Sequence, residues 1–206
     1  GHATPGWWND FIGPGRALDT DRFFVVCANV LGGCQGSTGP ASINPANDQR
    51  WGGDFPVVTI RDVVRSQRAL AQHLGIHRWM AVVGGSMGGM QALEWATSYP
   101  NRCGALVIIA STAAASAQQI AWSQVGRQAI LDDPAYQAGH YYDSEPGNGP
   151  HLGLANARRI AMIHYRSDEE FDRRFDRHSN DPVEPFRLEH RFDVESYLDY
   201  QAEKIQ

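Results

Sequence analysis

Nowhere in the 206 residues does an apolar run approach the ~18 that a helix needs to cross a bilayer, so no membrane-spanning helix and no membrane partner are expected. The opening residues Gly1-His2-Ala3-Thr4-Pro5 lack the basic and apolar stretches of a secretory leader. Cysteine is scarce as well. Cys27, Cys34 and Cys103 have neither framework nor metal-ligand spacing, which excludes a disulfide-stapled or zinc-organised fold and makes a reducing cytoplasm the expected compartment. Cys27 lies in an apolar run and Cys103 just ahead of another, a context that predicts small buried hydrophobes; Cys34 lies among glycines. Basic charge is in deficit too. A net charge of −5 and a pI near 5.9 exclude a broad nucleic-acid-binding face, which needs clustered Lys and Arg to neutralise phosphates.

What is present is ordinary for a folded protein: 42% hydrophobic and 20% charged residues, in a length that suits one buried core plus a smaller appendage. Residues 1–21 scatter Pro5, Gly6, Gly13, Pro14 and Gly15 among aromatics and read as an ordered loop. Residues 23–28 form a short continuous apolar run, expected of a strand covered on both faces, and a Gly-rich loop follows over 31–39. Thr59, with Asp62 three residues on, opens a helix whose apolar positions Ile60, Val63, Val64, Leu70 and Leu74 recur at three- and four-residue spacing and whose stop is Gly75. Residues 79–83 predict a strand, 87–99 a helix stopped by Pro100, and 105–109 a further strand. Such β-α-β-α-β alternation implies a parallel sheet with helices on its faces.

Composition changes after Ser111. Helices are expected over 113–131 and 154–165, separated by the Pro- and Gly-containing stretch 133–150 and followed by a charged surface over 168–177. A last helix opens near Val194 and reaches Gln206 without a stop signal, so both ends read as cut from something larger. The expected division is a partial α/β core over 1–111 and a helical region over 112–206.

The chemistry concentrates at Gly84-Gly85-Ser86-Met87-Gly88, a Gly-x-Ser-x-Gly pattern directly after an apolar strand and directly before a helix. A turn of that kind forces the serine into a strained backbone conformation and lifts its hydroxyl out at the carboxyl end of the sheet, where open α/β folds bind ligands. Glycines two residues to either side are expected to give strand and helix room to approach, so Gly88→Val is expected to be worse for stability than Ser86→Ala. Ser86 is the candidate nucleophile, and the Met87 amide at the helix start is the candidate oxyanion donor. A phosphate-binding loop fails on its residues, since neither Gly-x-x-x-x-Gly-Lys-Ser/Thr nor Gly-x-Gly-x-x-Gly stands at the strand end.

A serine nucleophile needs a histidine base oriented by a carboxylate, in the chain order serine, acid, histidine for this kind of fold. His140, His151, His164, His178 and His190 all lie in loop or helical-region sequence, and none follows a sheet strand. The acid and base are therefore expected beyond Gln206.

With these residues in view, the chain resembles the homoserine O-acetyltransferase family of the α/β-hydrolase superfamily. The resemblance rests on Thr4-Pro5-Gly6-Trp7-Trp8, on Asn29-Val30-Leu31-Gly32-Gly33-Cys34-Gln35-Gly36-Ser37-Thr38-Gly39-Pro40, and on Val83-Gly84-Gly85-Ser86-Met87-Gly88-Gly89 with Ala92-Leu93-Glu94-Trp95. Tyr99-Pro100, Gln118-Gln119-Ile120, Ala157-Arg158-Arg159, Tyr165-Arg166 and Val194-Glu195-Ser196-Tyr197-Leu198 carry it through the rest. It implies an α/β-hydrolase fold with a helical lid and no bound cofactor. It also implies acetyl transfer from acetyl-CoA to L-homoserine through an acyl-Ser86, as part of methionine biosynthesis, and a homodimer formed through the lid helices. Arg158 matches the family's substrate-holding lid arginine, and a guanidinium suits a carboxylate because it offers two parallel hydrogen bonds. Tyr165, seven residues on, is expected to share that helical face above Ser86, with Arg159 on the surface. Succinyl-CoA as donor, serine as acceptor, and a simple esterase remain open alternatives.

Overall fold

The computed structural model describes residues 6–145, 147–179 and 192–204. Its α/β part is built on a parallel strand pair, β3 (Val82–Gly85) and β4 (Leu106–Ile109), in register from Val82 opposite Leu106 to Gly85 opposite Ile109. A bridge between Trp79 and Cys103 extends the pairing backwards, so the expected strand start at Trp79 survives as an isolated contact. Between the strands runs α2 (Met87–Ser98), which packs on both of them, and α1 (Ile60–His73) packs on α2.

Helix α1 has the limits its sequence predicts. The Thr59 side chain accepts from the Asp62 amide while Asp62 accepts from the Thr59 amide, a complete capping box. At the other end Gly75 has φ +70, its N–H donates to the Gln72 carbonyl and the Ile76 N–H donates to the Ala71 carbonyl, the paired bonds of a Schellman stop. The helix buries Val63, Val64 and Ala71, and the latter two meet Trp95 of α2. Trp79 and Tyr99 close edge-on around Trp95, at 6.4 and 5.4 Å between ring centroids. The indole N–H of Trp95 donates to Gln67, whose amide in turn donates to the buried Gln91, so these three side chains are linked by hydrogen bonds across α1 and α2.

Residues 23–28 are not a strand. They carry no ladder hydrogen bonds, Phe24 is 75% exposed and Cys27 is exposed rather than buried. A continuous apolar run becomes a strand only where neighbours pair its backbone and cover both faces, and no described segment does either. The same shortage of cover leaves Val107, Ile108 and Ile109 of β4 at 40–46% exposure. Cys103 does sit half-buried, and burial pushes its thiol up despite the opposing charge of Arg78.

A short antiparallel pair, β1 (Ile43–Asn44) with β2 (Gln49–Arg50), precedes α1 and has no counterpart in the sequence expectations. Past Ser111 the chain is helical, as composition implies, with α3 (Ala117–Leu131), α4 (His151–His164), α5 (Asp168–Phe175) and α6 (Asp193–Glu203). Helix α3 starts four residues later than expected because Ser116 and Gln119 form a capping box there. Small residues let α3 and α4 approach: Gly126 faces Ala157, and a Cβ on Gly153 would lie 2.4 Å from the Ala129 carbonyl oxygen. The charged segment expected after residue 168 is α5, whose Phe171 and Phe175 turn inward to Met162 and Tyr197. Links cross the expected division at residue 111. Arg50 pairs with Asp143 at 2.9 Å, and the Gly53 backbone lies so close to Ala138 that a Cβ there would stand 2.0 Å from the Ala138 oxygen.

Candidate active site

Ser86 occupies the single residue between β3 and α2, with φ 54 and ψ −120, a conformation L-residues rarely adopt. Hydrogen bonds on both sides of Ser86 hold the bend. The Ser86 N–H donates to the Ile109 carbonyl at 2.9 Å, the Ser111 hydroxyl donates to the Ser86 carbonyl at 2.7 Å, and the Gly89 N–H donates to that same carbonyl at 3.0 Å. Ser86 itself is exposed at the carboxyl end of the strand pair.

The glycines divide differently from the sequence expectation. A Cβ on Gly84 would lie 2.1 Å from the Gly88 carbonyl oxygen, and one on Gly89 would lie 2.5 Å from the Ser111 Cβ, whereas one on Gly88 would meet nothing within 4 Å. Gly84 and Gly89 are thus the close approaches, and the expected crowding at Gly88 is corrected. The relation of Gly89 to Ser111 is invisible in a local pattern because it joins two segments across the sheet.

Met87 is the first residue of α2, so its N–H has no acceptor inside the helix and lies beside the serine. Among the described residues no side chain hydrogen-bonds the Ser86 hydroxyl. His140 lies 3.9 Å from Asp54, His151 opens α4, His164 stacks on Trp122 at 6.0 Å, and the Nδ1 of His178 is 3.1 Å from the Phe175 carbonyl. His190 lies outside the described residues. No group of three or more potential metal ligands occurs among the described residues.

Arg158 is half-buried on α4 and turned toward α6, where it donates to Gln201 at 3.5 Å; its Nε is buried without a partner. Tyr165 caps the end of α4, is 64% exposed and meets His164 edge-on at 4.7 Å. The two therefore stand in different surroundings among the described residues. Arg159, expected at the surface, is half-buried and grips Asp199 of α6 through Nε and Nη2, at 3.2 and 2.9 Å. Its reach to α6 depends on a helix pairing that no local pattern encodes.

A strained serine between strand and helix agrees with the comparison to known proteins: the alpha/beta hydrolase fold family model matches residues 2–204. The chain belongs to the α/β-hydrolase family. It is 57% identical over 205 residues to a homoserine O-acetyltransferase of Thermobifida fusca (strain YX), covering 100% of this chain and 53% of that protein. The crystal structure of homoserine O-acetyltransferase from Bacillus anthracis aligns with a TM-score of 0.88 at 31% identity, over 100% of this chain and 56% of that one. Esterase E22 aligns with a TM-score of 0.84 at 31% identity, over 99% and 57%. The chain thus spans about half the length of the curated relatives it matches.

Proposed function

We propose that the whole protein is an acyltransferase that moves an acetyl group from acetyl-CoA to the hydroxyl of L-homoserine, a step of methionine biosynthesis. The observation that carries the reading is the exposed, strained Ser86 at the start of α2, in a chain more than half identical to proteins named for this reaction.

In the first half-reaction the Ser86 oxygen bonds to the thioester carbonyl carbon, the carbon–sulfur bond breaks, and CoA departs as the thiol carrying the proton that the serine gave up. Negative charge developing on the carbonyl oxygen is met by the Met87 N–H; one such donor is typically worth ~3–4 kcal/mol of barrier. In the second half the homoserine hydroxyl attacks the acyl-Ser86, the ester bond to Ser86 breaks, and the proton that the homoserine hydroxyl gives up goes to the serine oxygen. Arg158 holds the amino-acid carboxylate and Tyr165 borders the acceptor, which requires Arg158 to leave Gln201. The base and its carboxylate come from outside these 206 residues, which span about half the length of the relatives they match, so the 206 residues alone are expected to be inactive. The protein works in the cytoplasm as a homodimer joined through its helical region, with CoA thioester and amino acid as its small-molecule partners.

A second reading, hydrolysis of a simple ester, is favoured by the likeness to esterase E22. It differs only in whether water reaches the acyl-enzyme. Donor and acceptor size, acetyl against succinyl and homoserine against serine, are pocket properties worth a few kcal/mol. Acetyl-CoA consumption by the whole protein, measured with and without homoserine, separates these readings. Turnover that depends on homoserine supports the transferase; equal turnover in its absence supports the esterase and overturns the transferase.

A further inference from the structure

In a chain with a net charge of −5, three arginines line one narrow cleft: Arg68 of α1, Arg78 from the turn before β3, and Arg102 from the 3₁₀ turn Pro100–Arg102. Trp79 and Trp95 form its apolar wall and His77 its rim. The cleft lies where Trp79 bridges to Cys103, at the amino ends of β3 and β4, whereas Ser86 follows the carboxyl end of β3. It is therefore separate from the candidate active site.

The arginines of this cleft are among those in the described residues that face no carboxylate. Arg50, Arg61, Arg65, Arg159 and Arg173 each face a carboxylate. Among the described residues Arg68, Arg78 and Arg102 form no ion pair. Arg78 donates through Nη2 to the Cys103 carbonyl at 3.5 Å, and Arg102 through Nη1 to the His77 carbonyl at 3.3 Å. Those bonds lace the two turns together but use one of five N–H donors on each side chain. Arg68 lies over the Tyr99 ring at 5.0 Å, and its Nε is buried with no partner. Like charges crowded at one edge of an apolar core repel, and they are relieved by a ligand whose oxygens accept from several guanidinium forks together. The cleft has no room for a water-sized group, so a ligand held by these guanidinium groups must lie outside it, across its opening.

We propose that the cleft formed by Arg68, Arg78 and Arg102 at the amino end of the strand pair binds a small dianionic oxyanion of the inorganic phosphate class.

The test is thermal melting of the whole protein in inorganic phosphate and in chloride, at matched ionic strength and slightly alkaline pH. The proposal predicts a saturating rise of roughly 2–4 °C in phosphate alone, at several-fold excess over Kd. The rise should vanish in Arg78→Gln and in Arg102→Gln and be partly kept in Arg78→Lys. Arg78 is exposed and its one recorded bond is long, so its variants are expected to fold even if Arg102→Gln does not. Equilibrium dialysis with labelled phosphate gives a second readout, one site in the wild type and none in Arg78→Gln. A rise of equal size in wild type and Arg78→Gln assigns phosphate to another site, such as one that takes the phosphates of CoA, and overturns the proposal. Absence of any phosphate-specific rise overturns it as well. Neither result bears on acyl transfer at Ser86.

Discussion

The Ser111 hydroxyl donates to the Ser86 carbonyl at 2.7 Å, and the Ser111 Cβ occupies the space that a side chain on Gly89 would need. Ser111, two residues past β4, therefore fixes the bend that carries the candidate nucleophile. It follows that Gly84→Ala and Gly89→Ala each cost ~1–3 kcal/mol, because the new methyl group meets the Gly88 backbone in the first case and Ser111 in the second. Gly88→Ala should leave stability unchanged or raise it by up to ~1 kcal/mol, since the site is open and helical. Urea denaturation of the three variants checks the order; a Gly88→Ala loss matching that of Gly84→Ala would contradict it.

The close approach at Gly89 also separates what a sequence encodes locally from what it does not. The pattern around Ser86, the capping box at Thr59 and the stop at Gly75 were legible because each is local: backbone sterics and caps act within a few residues. Which glycine is crowded was not, because the crowding at Gly89 comes from Ser111. Residues 23–28 have strand composition, but a strand needs pairing partners and cover, and those are non-local. The Ser116 to Gln119 box was present in the sequence as Ser-x-x-Gln, yet helix-forming composition upstream drew the expected start to Ala113. For Arg158 and Tyr165 the residue types were legible and their placement was not, since it depends on how α4 meets α6.

Backbone strain at Ser86 gives a second expectation. With φ 54 and ψ −120, alanine at this position keeps the strain while glycine releases it, so Ser86→Gly should be more stable than Ser86→Ala by ~1 kcal/mol. Both should be inert. Equal denaturation midpoints for the two variants would show that the bend stores no such strain.

The Trp95, Gln67 and Gln91 chain supplies a third. Replacing Gln67 by Leu keeps the volume but leaves the indole N–H and the Gln91 carbonyl oxygen without their partner at a buried site. A loss of roughly 1–3 kcal/mol is expected. Gln67→Glu should lose less, because it keeps the acceptor for Trp95; chemical denaturation compares them directly.

Acid should weaken α1 by protonating its cap. Hydrogen bonds from the Thr59 side chain and backbone, followed by the charge of Arg65, hold the Asp62 carboxyl below the usual carboxylate range. A depressed folded-state value means the contribution is fully present above the unfolded-state value and is lost as pH falls through the folded one. Asp62→Asn should therefore be less stable than wild type at neutral pH and converge with it in acid below the usual carboxylate range. A difference independent of pH would count against an ionised cap.

The central claim, that Ser86 is acylated, is tested most directly by the intact mass of the whole protein after mixing with acetyl-CoA in the absence of homoserine. The predicted result is a gain of one acetyl group per chain that is missing in Ser86→Ala and is discharged on adding homoserine. Persistence of the same gain in Ser86→Ala would contradict it.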